Sequence, residues 1–303
     1  MAAETKTKPR HYAPFGEPIE VGKVPPGLYL VATPIGNLGD VTLRALETLA
    51  GVDVIACEDT RVTRKLTERY GITTPLTTYH EHNAAEARPK LLSRLAEGRS
   101  VALVSDAGTP LISDPGFKLV RAAREAGYHV TALPGASAVL AALTISGLPT
   151  DRFFFEGFLP PRTSARQKRV GALANVAATL IFFESGSRLA STLADLAAAL
   201  GPRAAAICRE LTKVHEELIC ESLDTLARLY AGNAETRGEF VILVAPATDS
   251  HRTDDIDALL KQALSRVSVK DAVGEVAIAT GRPRREIYQR ALALAKDGGN
   301  DAQ

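Results

Sequence analysis

The segment SDAGTPLISDPG, from Ser105 to Gly116, follows the apolar run VALV and contains two aspartates but no lysine or arginine. Backbone groups beside a carboxylate suit a ligand with hydroxyl or ammonium groups and no phosphate, because a phosphate site combines backbone amides with cations. The alternative is a purely structural turn, capped by Asp106 and shaped by Gly108. The residues alone leave both interpretations open.

Two further glycine-containing loops follow strand-like runs: ATPIGNLGD, residues 32–40, and ALPGASA, residues 132–138. Open α/β folds bind ligands at the carboxyl ends of their strands, so we expect the three loops to line one cleft. For the first loop the alternative is an ordinary strand-to-helix turn capped by Asp40. The chain contains neither GxGxxG nor GxxxxGK(S/T), which excludes the standard dinucleotide fingerprint and the P-loop at the level of motifs.

The run YHEHN places His80 and His82 two residues apart, a spacing that can chelate a metal ion. No third ligand of the usual type follows nearby, so histidines that hydrogen-bond along a substrate groove are favoured over a metal site. We therefore expect no metal cofactor, and we count both histidines among the candidate RNA contacts.

Three groups of basic residues are candidates for contact with nucleic-acid phosphates. The first lies on one face of a predicted helix, the second in the acid-free run PRTSARQKR, and the third in the C-terminal tail; a solvated helix face is the alternative for each. Aromatic residues make up 5% of the chain and tryptophan is absent, so no stacking platform for bases is indicated and a substrate read by its shape fits better. The candidates are Arg61, Arg64, Lys65, Arg162, Arg166, Lys168, Arg169, Arg282, Arg284 and Arg285.

These residues must be positioned by an α/β protein. Between residues 27 and 149, short apolar runs alternate with helical patterns, which predicts α/β units around a largely parallel sheet. Residues 150–248 contain several strand runs with few helices between them, which predicts a second, mixed sheet. Residues 249–303 are expected to form a linker and three short helices with a helix-turn-helix-like connection, and residues 1–26 a disordered arm.

The bulk composition is that of a soluble protein. The chain has 303 residues and a formal net charge of +1, which argues neither for nor against nucleic acid. No apolar stretch reaches the roughly 18 residues of a membrane span, and the N-terminus lacks the apolar core of a secretory signal. Three widely spaced cysteines are expected to be buried free thiols, which indicates a cytoplasmic protein without membrane contact.

Seven ordered segments together resemble the bacterial small-subunit rRNA methyltransferase I family, over roughly residues 27–245 and with a matching helical tail. That family consists of cytidine 2′-O-methyltransferases among the tetrapyrrole-methylase-like, class III S-adenosylmethionine-dependent enzymes. The segments are GLYLVATPIGNLGDVTLRAL, IACEDTRVTRKLTERYGI, YHEHN, VALVSDAGTPLISDPG, LPGASA, FFES and RELTKVHEE.

The resemblance implies two α/β domains with S-adenosylmethionine in the cleft between them, a small helical appendage, and a homodimer. One departure is visible in FFESGSRL, where Gly186 stands in place of an expected proline–histidine or similar pair. The cofactor-binding residues that the resemblance implies are Pro34, Ile35, Gly36, Asp106, Ala107, Gly108, Thr109, Leu111, Ser137, Ala138, Phe183 and Glu239.

Methyl transfer to a hydroxyl is an in-line displacement in which the protein mainly aligns the reacting atoms. A ribose 2′-hydroxyl is a weak acid, so a base that accepts its proton late would add about 10²-fold. Lys213 is a candidate for stabilising the developing alkoxide. The candidate bases within the family motifs, unranked, are Glu58, Asp59, Glu184, Glu210 and Glu216.

The sequence therefore predicts an enzyme that methylates the ribose 2′-hydroxyl of a decoding-centre cytidine in 16S rRNA of the small ribosomal subunit. One alternative is a tetrapyrrole methyltransferase of the same fold, against which the basic clusters and the helical tail argue. The other is a non-catalytic helix-turn-helix protein that binds nucleic acid, against which the three glycine loops argue.

Overall fold

The computed structural model describes residues 10–232, 236–247, 249–280 and 282–297. It begins with a small antiparallel sheet of β1 (Arg10–Tyr12) and β2 (Ile19–Val21). Tyr12 is buried in the same apolar cluster as Leu46 and Leu49, and Arg10 forms an ion pair with Asp53 at 3.0 Å. A disordered arm over residues 1–26 is therefore wrong from residue 10 onward, because these contacts hold the segment on the domain; residues 1–9 lie outside the described residues.

The first large sheet, predicted to be largely parallel, is parallel throughout, with strand order β5-β4-β6-β3-β7. Three central strands read as continuous apolar runs because helices cover both faces of the sheet. The strands are β3 (Gly27–Val31), β4 (Val54–Cys57), β5 (Leu76–Thr78), β6 (Ser100–Val104) and β7 (Val130–Leu133).

Four helices and one 3-10 turn connect these strands, and a fifth helix, α5, follows β7. Several begin at a side-chain cap, as at Thr42, Asp59 and Ser137, whose oxygens accept a backbone N–H of the first turn. The elements are the 3-10 turn Leu38–Asp40 and the helices α1 (Leu43–Gly51), α2 (Thr60–Arg69), α3 (Ala84–Ala96), α4 (Phe117–Glu125) and α5 (Ala138–Ile145).

The second sheet is mixed, as predicted, with strand order β11-β10-β12-β9-β8; only β8 and β9 run parallel. Its strands are β8 (Phe153–Phe158), β9 (Thr179–Ser185), β10 (Ala204–Arg209), β11 (Glu217–Ser222) and β12 (Glu239–Val244). Three helices cover one face: α6 (Thr163–Leu173), α7 (Gly186–Leu200) and α8 (Leu223–Tyr230).

The other face of this sheet packs against α5, which belongs to the first half of the chain. Val139 and Leu143 of α5 share an apolar cluster with Ile181, Val241 and Leu243 of the sheet. This contact places the carboxyl ends of the first sheet beside β9 and β12, so that a cleft forms between the two halves.

The tail consists of α9 (Asp249–Leu264), α10 (Val269–Thr280) and α11 (Arg284–Asp297), the three helices that the sequence predicts. They have an apolar cluster of their own, which includes Leu260, Val273 and Ile287. Among the described residues, every helix is too short or too polar to span a bilayer. Of the three cysteines, Cys57 and Cys208 are buried as expected, whereas Cys220 is exposed.

Candidate active site between the two sheets

The three glycine-containing loops meet at the carboxyl edge of the first sheet. Thr33 and Gly108 exchange backbone hydrogen bonds of 2.9 and 3.0 Å, and the Thr33 hydroxyl donates to the carbonyl of Ser105 at 3.1 Å. The Thr109 hydroxyl donates to the carbonyl of Ala136 at 3.4 Å. Hydrogen bonds between the loops thus fix all three relative to one another, as a single wall of the cleft.

The cleft has two adjoining compartments. The interdomain compartment, about 350 Å³, lies between the loop segments 106–114 and 137–139 on one side and Phe183, Phe240 and Val241 on the other. The helix-side compartment, about 450 Å³, lies between the loop 33–38 and the first turns of α2. The two compartments share one wall, formed by Ile35, Asp106, Ala107, Lys213 and Glu239.

Most of the residues that the resemblance assigns to the cofactor line the interdomain compartment. Pro34 and Gly36 instead line the helix-side compartment, and Leu111 lines neither. A Cβ on Gly36 would lie 2.5 Å from Lys213 Cγ and 2.9 Å from the Leu211 carbonyl, so glycine there permits close approach of the two halves. The residues of the assigned set that line the interdomain compartment are Ile35, Asp106, Ala107, Gly108, Thr109, Ser137, Ala138, Phe183 and Glu239.

The acidic loop is held in a backbone conformation that L-residues rarely adopt. Leu111 and Ser113 have φ of 74° and 64°, and Gly116 has φ of 141°. Such residues cost free energy and persist where surrounding contacts fix them, which is common beside functional sites. Asp114 follows these residues and lines the interdomain compartment. The sequence pattern does not single it out, although it lies within SDAGTPLISDPG.

Three carboxyl groups with raised pKa values gather beside the acidic loop. Burial raises the pKa of Asp106, whose Oδ1 accepts the backbone N–H of Asp59 at 3.0 Å. Burial, reinforced by the charge of Glu58, raises the pKa of Asp114 to about 6. Burial and the charge of Asp106 also raise the pKa of Glu58, which lines neither compartment.

Lys213 carries the cation of the shared wall. Its Nζ lies 2.9 Å from Glu210 Oε1 and 2.5 Å from Glu239 Oε2. Burial alone would lower the pKa of Lys213, but the hydrogen bonds to these two carboxylates outweigh it and raise that pKa. Lys213 therefore stays an ammonium group, which suits charge stabilisation and excludes a role as general base.

The structure argues against four of the five predicted bases. Arg61 lowers the pKa of Asp59 to about 2, and the backbone N–H of Glu239 lowers that of Glu210. Glu216 accepts the backbone N–H of Thr212 at 2.5 Å and lines neither compartment.

The structure argues against Glu184 as a base for a different reason. Its side chain has 0% exposure and accepts hydrogen bonds from Thr192 at 2.7 Å and from the backbone of Ser185 at 2.8 Å. A carboxylate that is fully enclosed and already bonded in this way cannot take a proton from a ligand in the cleft. Its hydrogen bond with Thr192 instead joins β9 to α7.

Burial rules out one of the predicted phosphate contacts. Arg166 is 4% exposed and its guanidinium pairs with Asp195 at 2.6 Å, so it cannot reach a phosphate. Arg169 binds Glu156 through two hydrogen bonds of 2.6 Å and is half-buried. The exposed members of the predicted clusters are Arg61, Arg64, Lys65, Arg162, Lys168, Arg284 and Arg285; Arg282 is half-buried and pairs with Glu286.

The two histidines of YHEHN contact each other edge to face, with ring centroids 6.0 Å apart. The His80 backbone N–H donates to the Asn83 side chain at 2.8 Å, which fixes the turn before α3. The described residues contain no group of three or more His, Cys, Asp or Glu side chains that could hold a metal ion.

Comparison with known proteins agrees with this architecture. A family model described as tetrapyrrole (corrin/porphyrin) methylases matches residues 27–227, and one described as RsmI C-terminal HTH domain matches residues 251–295. A ribosomal RNA small subunit methyltransferase I from Mesorhizobium japonicum is 53% identical over 276 residues, which cover 90% of this chain and 94% of that protein. The chain belongs to the ribosomal RNA small subunit methyltransferase I family.

Other members of this methyltransferase I family are similarly close. The protein of that name from Xylella fastidiosa (strain Temecula1) is 48% identical over 271 residues, which cover 87% of this chain and 98% of that protein. Among solved structures, uroporphyrin-III C-methyltransferase from Thermus thermophilus aligns with a TM-score of 0.52 at 21% identity, covering 72% of this chain and 93% of that one. A cobalt-precorrin-4 methyltransferase aligns with a TM-score of 0.55 at 18% identity, covering 72% and 94%. At these identities the structures show a shared fold, which confirms the predicted fold class.

Proposed function

We propose that this chain transfers a methyl group from S-adenosylmethionine to the ribose 2′-hydroxyl of a decoding-centre cytidine in 16S rRNA. The observation that carries the proposal is the match, over 90% of the chain, to a protein named ribosomal RNA small subunit methyltransferase I. The cleft supports it, because the loops on which the family resemblance rests form one of its walls. The alternative, a tetrapyrrole substrate, has no comparable support from the relatives named ribosomal RNA small subunit methyltransferase I.

The interdomain compartment fits S-adenosylmethionine by its chemistry. Its walls combine backbone groups, apolar surface from Phe183 and Val241, and the carboxylates Asp106, Asp114 and Glu239. Carboxylates and apolar surface suit a ligand with an ammonium group, hydroxyls and a sulfonium, and with no phosphate. When bound there, S-adenosylmethionine supplies the methyl group on a strong leaving group.

Asp106 is the residue best placed to accept the proton of the 2′-hydroxyl. It lies in the wall that both compartments share, and one of its oxygens, Oδ1, is oriented by the backbone N–H of Asp59. No described residue donates a hydrogen bond to Oδ2, which is left for a ligand. The raised pKa of Asp106 moves it toward the range in which a carboxylate is an effective base.

Lys213 stands in the same wall and supplies positive charge where the alkoxide develops. Glu210 and Glu239 hold its ammonium group in place, so little reorganisation is needed during the reaction. The helical tail and the exposed basic residues around the cleft would add phosphate contacts, which set affinity more than sequence choice. We also propose that the active form is a homodimer, as the family resemblance implies.

Transfer of labelled methyl tests this function directly. Purified chain, S-adenosylmethionine labelled in the methyl group and small subunits from cells lacking this protein are expected to give label in 16S rRNA. A parallel reaction with uroporphyrinogen III is expected to remain unlabelled. Label in the tetrapyrrole alone would show the right fold with the wrong substrate, and failure to bind S-adenosylmethionine would favour the non-catalytic nucleic-acid-binding alternative.

A further inference from the structure

The two compartments of the cleft differ in the charge of their walls. The described residues that line the interdomain compartment include three carboxylates, Asp106, Asp114 and Glu239, and one lysine, Lys213. Glu184 also belongs to the lining, but its carboxylate is enclosed and pairs with Arg188 at 3.2 Å. Those that line the helix-side compartment include two lysines, Lys65 and Lys213, and two carboxylates, Asp106 and Glu239. The first compartment therefore favours a cationic ligand, and the second tolerates an anionic one.

We infer that S-adenosylmethionine occupies the interdomain compartment and that the helix-side compartment receives the target nucleotide, turned out of its RNA. The inference rests on the proposed function and adds the location of the substrate. S-adenosylmethionine carries a sulfonium, an ammonium and a carboxylate, so its net charge is positive. A nucleotide within RNA carries one negative phosphate, and the charges of the two compartments match the two reactants in this order.

The helix-side compartment has the size and composition that a single nucleotide needs. Its volume of about 450 Å³ lies within the usual range for small-molecule pockets. Leu38, 38% exposed, and the half-buried Val62 offer apolar surface to a base, and Lys65 lies at the exposed end on α2. Enzymes that do chemistry on a base take it out of the stack into such a pocket, and the inference extends this arrangement to a nucleotide whose ribose is modified.

Lys65 also connects the compartment to the outer surface. Arg64 lies on the same helix and is exposed, so it continues the positive charge from the compartment along α2. Arg61, one turn earlier, is also exposed but pairs with Asp59 at 2.6 Å. Phosphates on either side of the turned-out nucleotide would follow this row. The inference therefore places the predicted basic cluster on α2 beside the compartment that holds the target nucleotide.

Methyl transfer then takes place across the shared wall. The 2′-oxygen forms a bond to the methyl carbon as the carbon–sulfur bond breaks, and the sulfur retains the electron pair of that bond. The hydroxyl proton passes to Asp106, and Lys213 faces the oxygen from the opposite half of the chain. Pro34 and Gly36, which the resemblance assigns to the cofactor, face the nucleotide in this arrangement.

Three replacements of an exposed leucine or isoleucine by tryptophan test the assignment. Leu38→Trp fills the helix-side compartment, Ile112→Trp fills the interdomain compartment, and Leu43→Trp, on exposed α1 surface outside both, is the control. Leu38→Trp is expected to lower kcat/KM for small subunits by about 100-fold and to leave the Kd for S-adenosylmethionine within about 2-fold. Ile112→Trp is expected to raise that Kd by about 10-fold or more, and Leu43→Trp to change neither quantity.

A charge substitution provides a second, milder test that does not challenge folding. Lys65→Ala is expected to raise KM for small subunits by about 10-fold, to weaken the salt dependence of that KM, and to leave S-adenosylmethionine binding unchanged. Lys118→Ala, on the exposed surface of α4, is the control and is expected to behave as the unmodified chain.

The outcomes separate this inference from the proposed function. If Leu38→Trp weakens S-adenosylmethionine binding as much as Ile112→Trp does, or methylates subunits normally, the assignment of the compartments is wrong. If the unmodified chain labels no rRNA, the proposed function fails, while the binding measurements still judge where the cofactor lies. If Lys65→Ala has the KM of the unmodified chain, Lys65 does not contact a phosphate and that part of the inference is wrong.

Discussion

At the scale of single residues, the same residue type serves different purposes according to its burial. Asp106 and Asp114 belong to one loop and both have raised pKa values, because the cleft removes them from water and sets them near other carboxylates. Asp53 has the opposite shift: burial would raise its pKa, but the backbone of Ser100 and the side chain of Arg10 lower it to about 2. Asp53 is paired with Arg10 and Lys23, whereas Asp106 and Asp114, whose pKa values are raised, line the interdomain compartment.

The raised pKa of Asp114 predicts a specific dependence of stability on pH. A carboxyl whose pKa is about 6 in the folded chain binds more protons when folded than when unfolded, so stability falls as pH rises from about 4 to about 6. Asp114→Asn removes this contribution. The melting temperature of the variant, relative to the unmodified chain, is expected to rise between pH 4 and pH 7.

The exposed Asp151→Asn is the control for this measurement, and its melting temperature relative to the unmodified chain is expected to stay constant over the same range. A constant difference for Asp114→Asn would mean that Asp114 does not titrate abnormally in the folded chain.

Arg166 gives a second prediction, which concerns the stability of the fold and not its activity. Arg166→Ala leaves Asp195 buried without its cation, with Gln167 as its remaining side-chain donor, and is expected to cost about 3–5 kcal/mol of unfolding free energy. Lys168→Ala, exposed on the same helix, is expected to stay within about 0.5 kcal/mol. Urea denaturation measures both, and RNA affinity lost by folded Arg166→Ala at unchanged stability would contradict the structural role.

At the scale of secondary-structure elements, α7 begins at a position that admits only glycine. The Gly186 backbone N–H donates to the carbonyl of Gly238 at 3.1 Å, and a Cβ there would lie 2.7 Å from the carbonyl carbon of Thr236. The departure from the expected family pattern in FFESGSRL therefore has a local reason. The segment before β12 passes directly over the start of α7 and leaves no room for a side chain.

Two glycine-to-alanine substitutions test this close approach. Gly186→Ala must displace the backbone at residues 236–238 and is expected to destabilise by about 1–3 kcal/mol. Gly171→Ala lies in α6, where nothing stands within 4 Å of the new methyl group, and is expected to stabilise by about 1 kcal/mol through helix propensity. If the two substitutions change the free energy of unfolding equally in urea denaturation, the backbone at residues 236–238 leaves room for a Cβ at Gly186.

The sequence predicts elements well where local pattern and environment agree. Strands β3, β4 and β6 are largely apolar because both faces of the sheet are covered. The glycine loops after β3 and β6 can be recognised in the sequence because each follows one of these apolar runs. Strand β5 escapes prediction because it is a three-residue edge strand, and β8 because FFFEGF contains a bulge beside Gly157 and lies among prolines. The burial of Arg166 and Glu184 depends on packing between distant segments, which no local pattern encodes.

At the scale of the whole molecule, the cleft and the C-terminal helices are separate packing units. The cleft is built by the two sheets, whereas α9, α10 and α11 pack around their own apolar cluster. A family model for a C-terminal helix-turn-helix domain matches this tail. The arrangement fits a catalytic body with an added nucleic-acid-binding module.

Deletion of residues 249–303 is expected to leave the Kd for S-adenosylmethionine unchanged, because none of the described residues that line either compartment belongs to this segment. Affinity for small subunits is expected to fall by about 10-fold or more and to depend less on salt, since phosphate contacts are lost. Isothermal titration and filter binding measure the two quantities. Unchanged affinity for small subunits would show that the tail is not an RNA-binding module.

The central claim is that the cleft methylates a cytidine ribose and that Asp106 takes part. The most direct measurement is to digest small-subunit rRNA, labelled by the chain from S-adenosylmethionine, to nucleosides and to identify the labelled one. We predict that the label lies in 2′-O-methylcytidine and that Asp106→Ala abolishes it while Asp151→Ala does not. Label in a base-methylated nucleoside, or full activity of Asp106→Ala, would contradict the account.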